Sequence, residues 1–456
     1  MPVTCEQVVR APKRLGGTQA PSNDMSDSQV YEQWKHALRL RLGELLDNGA
    51  RATGASTLDR KTISTQLSLL NNTLLESGQA VLSTQEQKRL IEELANEVIG
   101  LGPLEPLVAD PEVTEIMVNG PSQVFVERHG RLERASATFR DEQHVMAVIE
   151  RLLESARLSV TETNPCVDAS LPDGSRINVI IPPLVLNGPT LTIRKKLRQW
   201  KMEEVVSLES LSPEAAEFLE ACVKAKVNFV ISGGTSTGKT TLVSILSCFI
   251  PRDERIITIE NVAELELPNR EHWIRLVSRS SNMEGRGEVP LRTLVRNALR
   301  MRPDRIILGE ARSGEALDVV QAMHTGHEGV MTVLHANSPE AALERLETLM
   351  LMSGLDLPPQ VCRAQIASVV DVVVHLSRYT DGRRRITSIA HVLGSSQGGF
   401  QLEELFVFEV RGFQADGMLD GGLRYTGVRP KFLPKFQVSN VPIPAWINPE
   451  LRQEGE

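Results

Sequence analysis

Aromatic residues are scarce in this chain. Its 456 residues include 11 Phe, 4 Trp and 3 Tyr, or 4% of the total, which argues against the stacking platforms that hold single-stranded nucleic acid. A basic excess is missing as well: 50 Lys and Arg face 58 Asp and Glu, for a formal charge of -8, whereas proteins that grip nucleic acid usually carry a basic footprint. Cysteine is sparse and dispersed. Cys5, Cys166, Cys222, Cys248 and Cys362 contain no CxxC pair, so zinc-knuckle and thioredoxin-like chemistry are not expected, and reduced, mostly buried thiols are. Long apolar runs are lacking: the longest, around Leu242–Ile250 and Val369–Leu376, fall far short of a bilayer span. The first twenty residues hold no apolar h-region, so no secretory signal is expected. Membrane contact is then expected to be peripheral, through a partner.

What is present suits a soluble protein of two or three domains, with 41% hydrophobic and 24% charged residues. Residues 1–25, with Pro, Gly, Ser and Asn and no periodicity, read as a disordered leader. Residues 26–100 read as helical. One amphipathic helix runs over 26–48, and another starts at Ser83, where Ser83 and Glu86 form a capping box ahead of Leu90, Ile91, Leu94 and Val98. Residues 101–195 read as a compact α+β domain. It has strands at 115–119, 124–127, 177–181 and 190–194, a helix at about 141–156, and turns at His129-Gly130 and Pro172-Asp-Gly. The charged stretch 196–212 reads as a linker. From 213 to 456, short apolar strands at 228–232, 255–260, 305–308, 330–334 and 370–376 alternate with helices, the pattern of a parallel, doubly wound α/β sheet.

The strongest motif lies in that last segment. Gly233-Gly234-Thr235-Ser236-Thr237-Gly238-Lys239-Thr240 fits GxxxxGK[ST]. Its glycines let backbone N–H groups curl around phosphates, Lys239 brings a charge to the β/γ-phosphates, and Thr240 can ligate Mg²⁺. A strand precedes it, and a helix opening at Thr241 follows, adding its N-terminal dipole. A chance match would lack that setting.

Two further strands end in carboxylates. Arg305-Ile-Ile-Leu-Gly-Glu310 places Glu310 at a strand's C-terminal end, where ligands bind in open α/β sheets, so Glu310 can orient water or hold Mg²⁺ through water. A solvated glutamate after a buried strand is the plain alternative. Thr258-Ile-Glu260-Asn-Val-Ala-Glu264 makes Glu260 and Glu264 candidates for positioning the attacking water, or an ordinary acidic loop. His327 and His335 bracket another strand; they can sense a γ-phosphate or serve as hydrogen-bonded structural histidines, and they lack the neighbours of a zinc site. Over 291–301 a helix buries Leu291, Leu294, Val295, Ala298 and Leu299 and sets Arg292, Arg296 and Arg300 on the opposite face, read as solvated or as a subunit contact. The clusters Arg383-Arg-Arg385 and Arg429-Pro-Lys-Phe-Leu-Pro-Lys435 are equally ambiguous. Arg176 and Arg194 alone read as turn and strand-end surface residues.

Together, the phosphate loop, Thr258-Ile-Glu260, Arg302-Pro-Asp-Arg-Ile-Ile-Leu-Gly-Glu310 and Thr325-Gly-His327 … Leu334-His335-Ala-Asn337 resemble the ATPases of type II and type IV secretion and type IV pili. Val118-Asn-Gly120, Leu171-Pro-Asp-Gly-Ser-Arg176, Leu191-Thr-Ile-Arg194-Lys and Glu284-Gly-Arg-Gly-Glu288 resemble the CpaF/TadA branch, which serves tight-adherence (Flp) pili. The likeness runs from about residue 90 to the Gly427-Val-Arg-Pro segment. It implies a RecA-like phosphate-loop motor domain with a parallel sheet, preceded by a smaller α+β N-terminal domain. It also implies ATP and Mg²⁺, a homohexamer, an inner-membrane platform partner, a cytoplasmic location at that membrane, and nucleotide-facing roles for Arg176 and Arg194. Two positions depart from the family pattern: Asn261 stands where Asp is usual after Ile-Glu, and Ala311 where Val is usual in Gly-Glu-Val-Arg. A type IV secretion export ATPase shares nearly every motif. A RecA-like DNA motor is disfavoured by charge and aromatic content, and a nucleotide-gated scaffold by intact Lys239 and Glu310.

Overall fold

The computed structural model describes residues 27–53, 60–76, 82–156, 158–196, 199–279, 286–396, 398–414 and 417–447. The leader expected at 1–25, with Cys5, lies outside them, as do Glu284 and Gly285. The chain forms two compact units. The first takes in residues 1–126, 133–171 and 177–194; the second takes in 127–132, 172–176 and 195–456.

The first unit opens with three helices: α1 (Asp27–Thr53), α2 (Arg60–Glu76) and α3 (Thr84–Val98). They bury Trp34, Leu38, Leu42, Ile63, Leu67, Leu90 and Leu94 together. The Trp34 indole N–H inside this core donates to Asn71 Oδ1 at 2.9 Å, as a buried tryptophan requires. The capping box is present: Ser83 Oγ accepts from the Glu86 N–H, and the Glu86 carboxylate accepts from the Ser83 N–H. Helix α2 falls within the 26–100 stretch read as helical. Its stretch of Thr, Ser, Gln and Asn gives a weak period, and packing against α1 and α3 decides it.

A short α4 (Glu105–Ala109) leads to β1 (Val113–Asn119), β2 (Val124–Arg128), β3 (Arg131–Arg134), α5 (Glu142–Ser155), β4 (Cys166–Ser170), β5 (Arg176–Ile180) and β6 (Thr190–Arg194). The strands form one sheet in the order β3-β2-β1-β6-β5-β4. β1 and β6 pair antiparallel with Ile116 opposite Ile193, and alternate residues face α5, whose Val145, Val148, Ile149 and Leu152 complete the core.

The second unit follows with α6 (Met202–Ser207), α7 (Pro213–Lys224), β7 (Phe229–Gly233), α8 (Lys239–Ser247), β8 (Ile256–Glu260), β9 (Trp273–Val277), α9 (Leu291–Ala298), β10 (Arg305–Leu308), α10 (Glu315–His324), β11 (Met331–His335), α11 (Pro339–Leu351), α12 (Pro359–Val369), β12 (Val372–Arg378), β13 (Arg384–Ser396), β14 (Gly399–Phe413), β15 (Leu419–Tyr425) and α13 (Leu433–Val438). Ser212-Pro213 and Ser338-Pro339 start α7 and α11 alike: each serine hydroxyl accepts the N–H three residues on, and each proline occupies the first turn, where an N–H is dispensable. The sheet order is β15-β14-β13-β12-β7-β11-β10-β8-β9. β12, β7, β11, β10, β8 and β9 run parallel, and β13, β14 and β15 extend one side antiparallel. Strand alternation divides the interior. Phe229 and Ile231 face a core with Phe218, Leu242 and Leu246, while Val230 faces another with Val295, Val320, Leu343 and Ile366. The doubly wound α/β sheet expected from the alternation is present, with helices on both faces.

Four features add to or alter the sequence expectations. The 196–212 stretch carries the helix α6. β9 and the three antiparallel strands were not anticipated. The basic stripe of α9 is not simply solvated: Arg292 Nε and Arg296 Nε donate to the two oxygens of buried Asp318 on α10 at 2.8 and 2.7 Å. Lastly, Arg305, at 1% exposure, pairs with Glu254 at 2.5 Å and donates to the Val223 carbonyl.

Candidate nucleotide site

β7 ends at Gly233, and the chain must turn at once into α8. The turn uses backbone that most side chains resist: φ is +152° at Gly233, +57° at Ser236 and +96° at Gly238. Gly233 also lies against β12, where a Cβ would come within 2.3 Å of the Leu376 carbonyl oxygen. The loop leads directly into the N-terminus of α8, with Gly238 as its N-cap. Lys239 is buried. Its Nζ donates to the carbonyls of Gly233 at 3.2 Å and Gly234 at 2.5 Å, and to His335 Nδ1 at 3.5 Å.

Strand order explains the histidine. β11 lies between β7 and β10, with His335 in register with Gly233, so the residue ending β11 separates the phosphate loop from Glu310, two residues past the end of β10. Its Oε1 lies 3.4 Å from His335 Nε2, and its Oε2 accepts from Arg312 Nη2 at 2.7 Å. An ammonium only donates, so the His335 Nδ1 that meets Lys239 accepts, which leaves its proton on Nε2, facing Glu310. Burial first, and then the Lys239 charge, hold the His335 pKa below the usual histidine value, against a smaller upward pull from Glu310. Lys239, His335, Glu310 and Arg312 thus form one polar chain across three strands.

Glu260, ending β8, is turned inward. It is 3% exposed, and its Oε1 accepts the backbone N–H groups of Glu264 and Leu265, both at 2.9 Å. Burial pushes its pKa up against those two bonds. Gly309 makes room for it: a Cβ there would lie 2.9 Å from Glu260 Cγ, which gives the glycine before Glu310 a physical reason. The loop that Glu260 holds carries Glu264, bonded to Arg176 Nη1. Arg176 therefore pairs with Glu264 and not with Asp173, which accepts from Ser175. Asn261, the departure from the family's usual Asp, accepts from the Ser278 hydroxyl at 2.8 Å and ties the end of β8 to the end of β9.

His327 precedes β11, and His335 ends it. Ligands bind at the C-terminal edge of such a sheet; within one chain His327 therefore stands at the far edge, where its Nδ1 lies 3.3 Å from the Ala322 carbonyl. Arg194 ends β6 in the first unit, opposite Glu115.

Two nearby arginines carried weak sequence clues. Arg312 stood inside a recognised motif without a role. The Arg383-Arg-Arg385 triplet takes three courses: Arg383, just before β13, meets Glu209 at 3.3 Å, Arg385 is buried against Asp381 at 2.7 Å, and Arg384 points toward the phosphate loop.

Comparison with known proteins decides the family. Residues 97–401 match the type II/IV secretion system protein family. The chain belongs to that family. It is 36% identical over 315 residues to a putative conjugal transfer protein of Mycobacterium tuberculosis, covering 68% of this chain and 88% of that one. It is 35% identical over 303 residues to the type IV secretion system protein VirB11 of Brucella suis, covering 60% of this chain and 84% of that one. The crystal structure of the Brucella suis VirB11 ATPase with sulphate is similar at a TM-score of 0.36 and 33% identity, covering 64% of this chain and 96% of the other. With its phosphate loop and strand-end glutamate, this member of the type II/IV secretion family is an ATP-hydrolysing enzyme. Among the described residues, no helix is long and apolar enough to cross a membrane.

Proposed function

We propose that the chain is a homohexameric motor that converts ATP hydrolysis into mechanical work for a pilus of the CpaF/TadA, tight-adherence type. It works on the cytoplasmic side of the inner membrane against a membrane platform protein. The observation that carries the catalytic reading is the chain Lys239–His335–Glu310 beside the phosphate loop. Lys239 donates to the carbonyls of Gly233 and Gly234. A triphosphate in the loop offers it a stronger, charged acceptor, and the ammonium moves to the β/γ-phosphates. The N–H groups of the loop through Thr240 and Thr241 hold the remaining oxygens. Glu310 orients the attacking water, and His335, kept neutral, passes the state of Lys239 to Glu310 through its two ring nitrogens. Glu260 fixes the loop that presents Glu264 to Arg176.

The partly polar opening of α8 fits Mg²⁺: Thr240 would hold it directly and Glu310 through water, and the ion would offset charge on the phosphates. Arg194 is assigned to the nucleotide by the family resemblance alone. A second reading, export ATPase of a type IV secretion system, is favoured by relatives named as type IV secretion proteins.

Phosphate release from the purified full chain tests the enzyme: Lys239→Ala is expected to lose turnover while it keeps its melting temperature. Turnover near the parent rate in that well-folded variant refutes the site. Light scattering with ATP and Mg²⁺ tests the ring, and a monomer alone at micromolar protein counts against it.

A further inference from the structure

The middle arginine of the triplet stands on the side of the phosphate loop opposite Glu310. β12 runs beside β7 with Leu376 in register with Gly233. The chain turns after Arg378 and returns as β13 with Arg384 opposite Arg378. Both arginines thus lie at the C-terminal edge of the sheet, where ligands bind. Gly238 closes the loop there, and among the described residues beyond its neighbours Arg384 Cδ lies within 4 Å of the position a Cβ would take, at 3.7 Å. Beyond Cδ, Arg384 Nη2 reaches Glu127 Oε1 at 3.6 Å, and Arg378 Nη2 lies 3.4 Å from the same oxygen. These distances are long beside the 2.7–2.9 Å of a tight charge-assisted bond. Two guanidinium groups share one buried carboxylate, so one can leave without stranding its charge.

We infer that Arg384 is a nucleotide-gripping residue that swings from Glu127 to the α-phosphate and ribose end of a bound nucleoside di- or triphosphate. Lys239, His335 and Glu310 occupy the γ-phosphate side of the loop, so a cation across the loop addresses the end common to ADP and ATP. Arg378 stays with Glu127, and Glu127 competes with the nucleotide for Arg384. The inference rests on the nucleotide reading of the loop and adds to it a residue more than a hundred positions downstream of the motif.

Titration calorimetry of the full chain with ADP and with a slowly hydrolysed ATP analogue tests it. Arg384→Ala is expected to weaken both ligands by about tenfold and by the same factor, the value of one charge-assisted hydrogen bond. Arg384→Lys, which keeps the charge and loses the fork, falls between and covers the case in which the alanine variant does not fold. Glu127→Gln removes the competitor and tightens both ligands. Parent-like affinity for ADP in folded Arg384→Ala, or a loss confined to the ATP analogue, overturns the assignment, and unchanged affinity in Glu127→Gln overturns the competition. A parent chain that binds neither ligand refutes the nucleotide site itself, a failure distinct from that of Arg384.

Discussion

Replacing Glu260 by glutamine separates two roles that strand-end carboxylates can play. In the structure one oxygen of Glu260 accepts two backbone N–H groups at 2.9 Å. A glutamine side-chain oxygen can take the same place, so the loop carrying Glu264 keeps its form. The bonds weaken, since hydrogen bonds to a charged acceptor are about twice as strong as neutral ones. Against that, the variant no longer buries a charge, a cost visible in the raised pKa of Glu260. The two changes oppose each other at about 1–2 kcal/mol each, so Glu260→Gln should hold its melting temperature and turn over ATP within about threefold of the parent. Glu260→Ala offers no acceptor; a buried donor at Leu265 loses a partner worth about 1–3 kcal/mol, and a half-buried one at Glu264 loses less. Its turnover should fall tenfold or more, each 1.36 kcal/mol being about a factor of ten.

A pH series adds a signed check. The folded pKa of Glu260 lies above the unfolded one, so the folded chain binds more protons across that window. Stability attributable to Glu260 therefore falls as pH rises from the ordinary carboxylate range through its raised folded value. The glutamine variant should lack that slope. If Glu260→Gln abolishes turnover and leaves melting unchanged, Glu260 is itself the base, and the positioning argument is wrong.

Three more outcomes are expected. Glu310→Gln should cut turnover by about a hundredfold or more while ATP binding survives, read by single-turnover phosphate release against nucleotide affinity. Arg312→Ala removes one of the charges that lower the His335 pKa, leaving burial and Lys239 alone to oppose the upward pull of Glu310. The acid limb of its pH–rate profile should therefore move to higher pH, and an unmoved limb disconnects Arg312 from the site. Gly329→Ala should destabilise the second unit by about 3 kcal/mol or more, measured by chemical denaturation, because φ there is +69° and the new Cβ would fall 2.1 Å from Arg305 Nη1, displacing a buried ion pair. A parent-like denaturation midpoint would show that Arg305 has room to move.

The elements that the sequence revealed are those whose causes are local. Ser83 and Glu86 build their cap within four residues, and the phosphate loop lies whole in eight consecutive positions. The five central strands could be read because burial on both faces makes them continuously apolar. β9 carries Arg275 in its middle and sits at the sheet edge, where pairing with β8 rather than composition makes the strand. The same holds for β14, whose Glu403, Glu404 and Glu409 interrupt any alternation. In the site, Glu310 and Lys239 could be seen from their motifs. The inward turn of Glu260 depends on Gly309, 49 residues away, and the fate of Arg292 and Arg296 depends on Asp318 on another helix. No window of sequence holds such pairs.

β7 occupies the middle of its nine-stranded sheet, and both strands beside it come from far down the chain: β11 at 331–335 and β12 at 372–378. Loops of this length make the pairing slow to find. During synthesis from the N-terminus, the phosphate loop emerges well before either strand that braces it. A nascent chain arrested before residue 331 has the whole nucleotide motif and neither neighbour for its strand, while the first unit already has all its strands. Capacity to take up nucleotide should therefore appear late and abruptly as the chain lengthens, so that a partly made motor does not consume ATP.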